Sequence, residues 1–213
     1  MENLEKYFEI AKVFYGDIPY HNFEHALKVL GDAKKIMEAC VKEGIVFDDK
    51  AVILACLFHD AGYHEDHEEK GFATKEKYSS FLAMEEIGKE DRELGKKVSG
   101  IILATHTRAQ FDSVEEKIVR AADLSGLASG YGEFLENNRK LKKEAELSEG
   151  GSVPWSYWKE GTSRVVNFYL SQDIRLTKEH DDRDGNSIFH VRAKDNLDKF
   201  LKENDEDLDR YDQ

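Results

Sequence analysis

The chain has little proline, little cysteine and no long hydrophobic segment. Only two of its 213 residues are proline, Pro19 and Pro154, and the 134 positions between them contain none. Because proline breaks the interior of a helix, this long stretch favours helices. The two cysteines, Cys40 and Cys56, are too few for a disulfide framework and suit a reducing compartment.

Membrane and secretion signals are also lacking. No apolar run approaches the roughly 20 residues that span a bilayer. The opening segment MENLEKYFEI has neither the basic start nor the apolar stretch of a secretory signal. We therefore expect a cytoplasmic protein that makes no contact with membranes.

Basic residues are in deficit as well. There are 31 Lys and Arg against 44 Asp and Glu, which gives a net charge of −13. General binding to nucleic acid needs many Lys and Arg contacts to phosphates. The acidic balance therefore argues against nucleic acid as a general partner.

The apolar residues recur at helical spacing along most of the chain. The 40% of hydrophobic residues can fill a core, and the length suits one domain. The three- and four-residue spacing of apolar residues predicts helices over 3–15, 22–43, 49–60, 74–87, 91–106, 114–129, 131–147, 155–174 and about 191–203. Residues 187–192, SIFHVR, are β-branched and aromatic and form the one candidate strand. No series of strands appears, so the predicted fold class is all-α.

Imidazoles and carboxylates occur where apolar residues are expected. His59 and Asp60 end the most apolar predicted helix, and Asp123 lies inside the run IVRAADLSGLA. His21 and His25 share one helix face through their i, i+4 spacing. A buried carboxylate costs several kcal/mol unless it is paired or bound to a metal. Imidazole and carboxylate together suit Mn, Fe, Co or Zn, so these residues predict one shared metal site.

The ordered motifs PYHNFEHALKVL, LACLFHDAGY, ILATH and RAADLSGLA resemble those of the HD superfamily of metal-dependent phosphohydrolases, over about residues 18–130. The resemblance implies a single domain over 1–213, built on an all-α HD helical bundle. The bundle core is expected at about 18–130, a C-terminal helical extension at about 131–203, and an acidic tail at 204–213. We expect this tail to be solvated.

The resemblance also implies roles for particular residues. His25, His59, Asp60 and Asp123 match the metal ligands, and Asp60 would bridge the ions if two bind. The stretch YHNFEHA is similar to the opening motif of cyclic-nucleotide phosphodiesterases, whose first histidine is a general acid, and His21 matches it. The expected cofactor is one or two divalent ions, Mn, Co, Mg, Fe, Ni or Zn, with the identity left open.

One position departs from the phosphodiesterase pattern. That branch has a further histidine three residues after the aspartate, where this chain has Tyr63 followed by His64. Two-metal members of the superfamily place extra histidines between the HD pair and the final aspartate. His64 and His106 are therefore candidate second-metal ligands, and His67 is a further one. A solvated histidine is the competing interpretation of each.

Three charged residues are candidates for binding substrate. Related small HD proteins carry an acidic residue facing the site near Lys75 and Glu76, which start a predicted helix. Arg108 follows the motif ILATHT and suits a bidentate contact to phosphate. Ordinary helix-surface charge is the competing interpretation of all three.

The expected function is metal-dependent hydrolysis of a phosphate ester, on a nucleotide or another small phosphorylated molecule. A metal makes hydroxide available near neutral pH, and a nearby imidazole can protonate the leaving alkoxide. The sequence leaves open whether the substrate is a monoester or a diester, and it leaves the oligomeric state open. Two alternatives remain: a di-iron HD-type oxygenase that uses His64 and His106, and a non-catalytic nucleotide-binding or signalling module.

Overall fold

The computed structural model describes residues 2–209, and helices make up most of this part of the chain. Its α-helices are α1 (Glu2–Lys12), α2 (Phe23–Lys42), α3 (Asp49–Phe58), α4 (Lys75–Ile87), α5 (Arg92–Leu103), α6 (Val114–Asp123), α7 (Tyr131–Glu149), α8 (Trp155–Leu170), α9 (Ile188–Phe200) and α10 (Asp205–Asp209). Two short 3₁₀ helices cover Leu124–Ala128 and Lys178–His180. Within residues 2–209 no strand forms, and the only β-type pairing is an isolated bridge between Asp181 and Ser187. The predicted all-α class is confirmed.

The chain divides into two compact units. The first unit ends at Asp123 and the second begins at Leu124. The single-domain organisation, with an HD core at about 18–130, stays a prediction. None of the helices described over residues 2–209 is both long enough and apolar enough to cross a membrane.

Helix α3 forms the centre of the first unit. It contacts α1, α2, α4, α5 and α6, and every side chain from Leu54 to Phe58 is fully buried. Burial of such a continuous apolar segment is the main favourable term in folding. Because other helices surround α3, the residues that follow its last turn emerge inside the unit rather than at its surface. Those residues are His59 and Asp60.

Side-chain caps define where the helices of the first unit begin. In four of them the cap residue accepts a hydrogen bond from a backbone N–H of the first turn: Asn22, Asp48, Thr74 and Asp91. Such caps contribute about 1 kcal/mol each, because helical N–H groups at this end have no partner within the helix. The caps of α2 and α4 matter most for the site, since both helices carry candidate residues in their first turn.

Two expectations about local structure were wrong. The candidate strand at 187–192 belongs to α9, where Ser187 is the cap residue and its side chain accepts a hydrogen bond from His190 N–H. Phe189 packs against a buried cluster formed by Val166, Ala193 and Leu197. This packing outweighs the strand preference of the segment. The helix predicted over 114–129 is interrupted, because α6 ends at Asp123 and a 3₁₀ helix follows.

The second unit has its own apolar core. Phe134, Trp155, Phe200 and Leu208 form one buried cluster. Leu208 is only 1% exposed, so the segment expected to be a solvated acidic tail contributes to this core through α10. Residues 210–213 of the predicted tail lie outside the described residues.

Candidate metal centre

Three helices of the first unit bring the four predicted metal ligands to one place. His25 lies in the first turn of α2, His59 and Asp60 follow the end of α3, and Asp123 is the last residue of α6. Helices α2, α3 and α6 contact one another in pairs. One ligand atom from each residue lies within 4.8 Å of the ligand atoms of the other three.

The individual distances fit a single bound ion. His59 Nε2 is 3.0 Å from Asp60 Oδ2 and 3.4 Å from Asp123 Oδ1. His25 Nε2 is 3.5 Å and 3.4 Å from the same two oxygens. Ligands held 2.0–2.2 Å from a tetrahedral ion lie about 3.3–3.6 Å from each other. The four side chains therefore surround a space of the size that one metal ion needs.

The hydrogen bonding of the imidazoles supports the same interpretation. The Nε2 atoms of His25 and His59 are buried and make no hydrogen bond of acceptable geometry. His59 Nδ1 lies 2.9 Å from the carbonyl oxygen of Cys56, so in neutral His59 it is this nitrogen that carries the proton. The lone pair of Nε2 is then directed at the carboxylates, as in a metal-binding imidazole whose other nitrogen is held by a carbonyl. The donor set fits a divalent ion.

The electrostatics of the cluster favour positive charge between the carboxylates. Burial alone would lower the pKa of His59, but the carboxylates of Asp60 and Asp123 hold it well above its usual value. Burial would raise the pKa of both carboxyl groups, yet the imidazoles beside them hold the pKa of each below its usual value. A divalent cation satisfies two ionised carboxylates more fully than a shared proton does.

Neighbouring side chains support the ligands. The cap residue Asn22 accepts a hydrogen bond from His25 N–H at 3.2 Å, which fixes the first turn of α2. Tyr15 donates its hydroxyl to the carbonyl oxygen of Leu57 at 3.0 Å, two residues before the His59–Asp60 pair. Burial, with the charge of Asp60 adding to it, raises the pKa of Tyr15 well above its usual value, so the phenol remains a neutral donor.

Arg120 is a supporting residue that the sequence analysis missed. Its side chain is 1% exposed and lies one helical turn before Asp123. The guanidinium donates hydrogen bonds to four carbonyl oxygens after the end of α5, those of Ala104, Thr105, His106 and Thr107. A charged residue inside the run IVRAADL was the available signal, and it is the same signal that identified Asp123.

Two of the predicted residues meet at one aromatic ring beside the four ligands. The ring of His21 stacks on that of Tyr63, with centroids 3.8 Å apart and an interplanar angle of 16°. Lys75 Nζ lies 3.3 Å from the centroid of the Tyr63 ring. His21 also contacts the ring of the ligand His25 edge-on, at 5.7 Å between centroids.

The other candidates lie outside the four-residue group. Among residues 2–209, that group is the only set of three or more His, Cys, Asp or Glu side chains whose ligand atoms converge in this way. The ring of His64 packs against Gly16, and His106 Nδ1 accepts a hydrogen bond from Arg108 N–H at 3.2 Å. Glu76 lies in the first turn of α4. The di-iron hypothesis depends on His64 and His106, and their role as second-metal ligands stays a prediction.

Comparison with known proteins agrees with this geometry. A family model described as "HD domain" matches residues 22–125, a range that contains all four predicted ligands. A search of the curated proteins found no match. Among solved structures, the phosphodiesterase domain of Salpingoeca rosetta rhodopsin phosphodiesterase is similar, with a TM-score of 0.64 and 16% sequence identity. The match covers 92% of this chain and 78% of that one, and at this identity it shows the fold alone.

Proposed function

The chain belongs to the HD superfamily through residues 22–125, and on that premise we propose that it is a metal-dependent phosphohydrolase. Its proposed substrate is a nucleotide or another small phosphate ester. The observation that carries the proposal is the convergence of His25, His59, Asp60 and Asp123, with two buried imidazole nitrogens that make no hydrogen bond.

The four ligands define the chemistry at the centre. A divalent ion bound there supplies hydroxide near neutral pH and withdraws charge from the phosphoryl oxygens of the substrate. Asp60 and Asp123 stay ionised because the neighbouring imidazoles hold their pKa values below the usual range. They are therefore available as ligands throughout the neutral range.

His21 is the proposed general acid. It lies beside His25 with its ring held flat against Tyr63, which leaves it few orientations. A protonated imidazole in this place can donate a proton to the leaving oxygen of the ester as the phosphorus–oxygen bond breaks. The proton goes to the alcohol product, and the phosphoryl group takes up the attacking hydroxide.

Three charged side chains outside the ligand set are proposed to bind the substrate. Lys75 lies over the Tyr63 ring, and Arg108 is exposed after α5. Both are proposed to bind the substrate phosphate, Lys75 as a point charge and Arg108 through two parallel hydrogen bonds. Glu76, next to Lys75, is proposed to accept a hydrogen bond from the substrate.

A screen of phosphomonoesters, cyclic nucleotides and dinucleotides tests the function. The full chain is assayed for release of phosphate or nucleotide with Mn²⁺, Co²⁺, Mg²⁺ and Fe²⁺. We expect turnover with at least one metal and loss of that turnover in His59→Ala and in Asp60→Ala. The matched control is Asp112→Asn, which changes an exposed carboxylate of the same unit and should leave turnover unchanged. Turnover that survives both ligand changes would sink the proposal.

A further inference from the structure

Residues 14–16 form a short segment before α2 that packs against the end of α3 and the turn after it. Tyr15 donates its hydroxyl to the carbonyl oxygen of Leu57 at 3.0 Å. The backbone N–H of Gly62 donates to the carbonyl oxygen of Phe14 at 2.8 Å. One hydrogen bond lies before the two ligands of this turn and the other after them, so the segment holds both ends of the stretch that carries them.

The hydroxyl of Tyr15 completes the hydrogen bonding at the end of α3. The carbonyl oxygens of the last turn of a helix have no partner within the helix. Here that of Cys56 lies 2.9 Å from His59 Nδ1, and that of Phe58 accepts from a backbone N–H of the following turn at 3.0 Å. Both of those partners are local, whereas the partner of the Leu57 carbonyl comes from a segment 42 residues away. Loss of the hydroxyl would therefore take this partner from a fully buried residue.

The same side chain interacts with the ligand Asp60 and with α2. Burial and the charge of Asp60 raise the pKa of the Tyr15 phenol, and a hydrogen bond with the backbone N–H of Asp60 opposes that rise. The Tyr15 ring packs against Phe23, the first residue of α2, with 5.5 Å between the ring centroids. The ligand His25 follows two residues later. Tyr15 therefore contacts both stretches of chain that supply the imidazole ligands.

Gly16 extends the contact to the end of the turn. A Cβ at this position would lie 2.6 Å from Cγ and 2.9 Å from Cβ of His64. Since those atoms are close to the backbone of His64, they cannot move away without moving the turn as well. A glycine is thus what lets the segment approach the turn so closely.

The centre needs such contacts because its ligands come from separate helices. Ligand atoms have to lie within about 0.2 Å of their ideal distances from a metal ion. His59 and Asp60 lie beyond the last regular turn of α3, so the geometry of that helix alone does not fix their positions relative to His25. Outer contacts that orient metal ligands contribute about 10- to 100-fold to metal affinity.

We propose that Tyr15 is a positioning residue for the metal centre, and that residues 14–16 hold His59 and Asp60 in place for metal binding. The inference rests on the proposed function for its metal but not for its hydrolysis. It extends the functional unit beyond residues 22–125, the range that the family model matches. Tyr15 contacts no substrate in this role and acts through the stretch of chain that carries the two ligands.

The first test measures metal affinity in the full chain. Protein freed of metal with EDTA and then dialysed is titrated calorimetrically with Mn²⁺. Tyr15→Phe keeps the ring on Phe23 and removes only the hydroxyl, so we expect the Mn²⁺ affinity to fall by about tenfold or more. Tyr7→Phe is the matched control, because the charged neighbours of this hydroxyl, Lys6 and Glu90, lie outside the centre. It should bind Mn²⁺ like the wild type.

A second variant displaces the segment through a different atom. Gly16→Ala places a methyl group against His64, so it should lower the Mn²⁺ affinity by a similar factor. Gly100→Ala changes an exposed glycine of α5 that has open space around it, and it should leave the affinity unchanged. The pair separates crowding of the turn from the general effect of an added methyl group.

Unfolding in EDTA separates positioning from general stability. Tyr15→Phe and Ile87→Val are both unfolded with urea and followed by circular dichroism. Ile87, the last residue of α4, is fully buried next to the turn that leads into α5. Its truncation should lower the urea midpoint without changing the Mn²⁺ affinity, because the ligands are elsewhere. A Tyr15 hydroxyl that served stability alone would behave in the same way.

The outcomes separate this inference from the proposed function. Wild-type Mn²⁺ affinity in Tyr15→Phe overturns the inference, whether or not the protein hydrolyses an ester. An equal loss of affinity in Ile87→Val overturns it too, because the loss would then follow stability alone. Mn²⁺ binding that depends on Tyr15 in a protein that hydrolyses no ester supports the inference and overturns the proposed hydrolysis.

Discussion

Asn138 in the second unit and His59 in the first are both buried polar residues, but their hydrogen bonding differs. The amide of Asn138 donates to the carbonyl oxygen of Phe134 at 3.0 Å and accepts from Trp158 Nε1 at 3.2 Å and Thr162 Oγ1 at 3.0 Å. His59 has one hydrogen-bonded nitrogen, and its Nε2 faces two carboxylates without a hydrogen bond. An incompletely bonded buried group costs free energy unless a ligand completes it.

The buried charges of the two units differ in the same way. In the second unit Lys142 Nζ lies 2.6 Å from Glu146 Oε1, and the ammonium also lies 4.9 Å from the Trp155 ring centroid. Lys142 and Glu146 therefore each have an opposite charge within the unit. In the first unit Asp60 and Asp123 bring two carboxylates to one space, and a proton held by the neighbouring His59 offsets only part of their charge.

Arg120 shows that the contrast is not simply between the units. It is buried in the first unit, and its guanidinium has four carbonyl acceptors. Burial of a polar residue is therefore not in itself a sign of function. The sign is a set of ligand atoms that converge without satisfying each other, and it distinguishes the four-residue group from Arg120 and from Asn138.

Of the changes considered, metal removal should lower the free energy of unfolding the most. At a Mn²⁺ concentration about 100 times the dissociation constant, binding adds about 2.7 kcal/mol to the free energy of unfolding of the wild type. Asp123→Asn should lose this stabilisation, because it removes a charged ligand. The measurement is urea unfolding followed by circular dichroism, in Mn²⁺ and in EDTA.

Asp112→Asn is the control for this experiment, because the change removes an exposed carboxylate from the same unit. Its unfolding should respond to Mn²⁺ as the wild type does. Equal stabilisation of Asp123→Asn and of the wild type would show that Mn²⁺ binds elsewhere, and the contrast between the two kinds of buried polar group would then have no basis.

Asn138→Leu should lower the free energy of unfolding by an intermediate amount, and this loss should not depend on metal. The change leaves the indole N–H of Trp158 and the hydroxyl of Thr162 without their acceptor, so we expect a loss of about 2 kcal/mol in the free energy of unfolding. Trp155 and Trp158, the only tryptophans of the sequence, both lie in the second unit, so tryptophan fluorescence reports its unfolding. Asn137→Leu, the neighbouring change on the same helix, should cost clearly less. A loss that disappears in EDTA would contradict the comparison.

Much of the fold and of the candidate site was predictable from the sequence. Helix periodicity predicted the all-α class, because apolar spacing directly reflects which face of a helix is buried. His59, Asp60 and Asp123 were recognisable because polar residues interrupt apolar runs. Their convergence adds the observation that the ligand atoms do not satisfy one another.

What could not be predicted depends on contacts between distant parts of the chain. The stacking of Tyr63 on His21 joins residues 42 positions apart, and no spacing rule contains it. The burial of Leu208 depends on an aromatic cluster built from three other segments. The error at residues 187–192 has two causes, since both the cap at Ser187 and the packing of Phe189 outweighed a strand propensity that depends on context.

Glu146→Gln should change the free energy of unfolding the least. The pH dependence of this change tests whether the charge of the Lys142–Glu146 pair stabilises the second unit. The hydrogen bond from Lys142 lowers the pKa of Glu146 below its usual 4.5, and Val153 N–H adds a second bond at 2.9 Å. A lowered pKa stabilises the fold above the unfolded pKa, and that stability is lost as the pH falls through the folded value. Glutamine keeps the acceptor oxygen, so we expect a loss of about 1 kcal/mol in the free energy of unfolding at pH 7, and this loss shrinks below pH 4.5.

Glu149→Gln, an exposed change on the same helix, is the control. It should show neither the loss nor its pH dependence in urea unfolding followed by tryptophan fluorescence. If the loss persisted unchanged in acid, the buried ion pair of the second unit would owe its stability to packing rather than to charge.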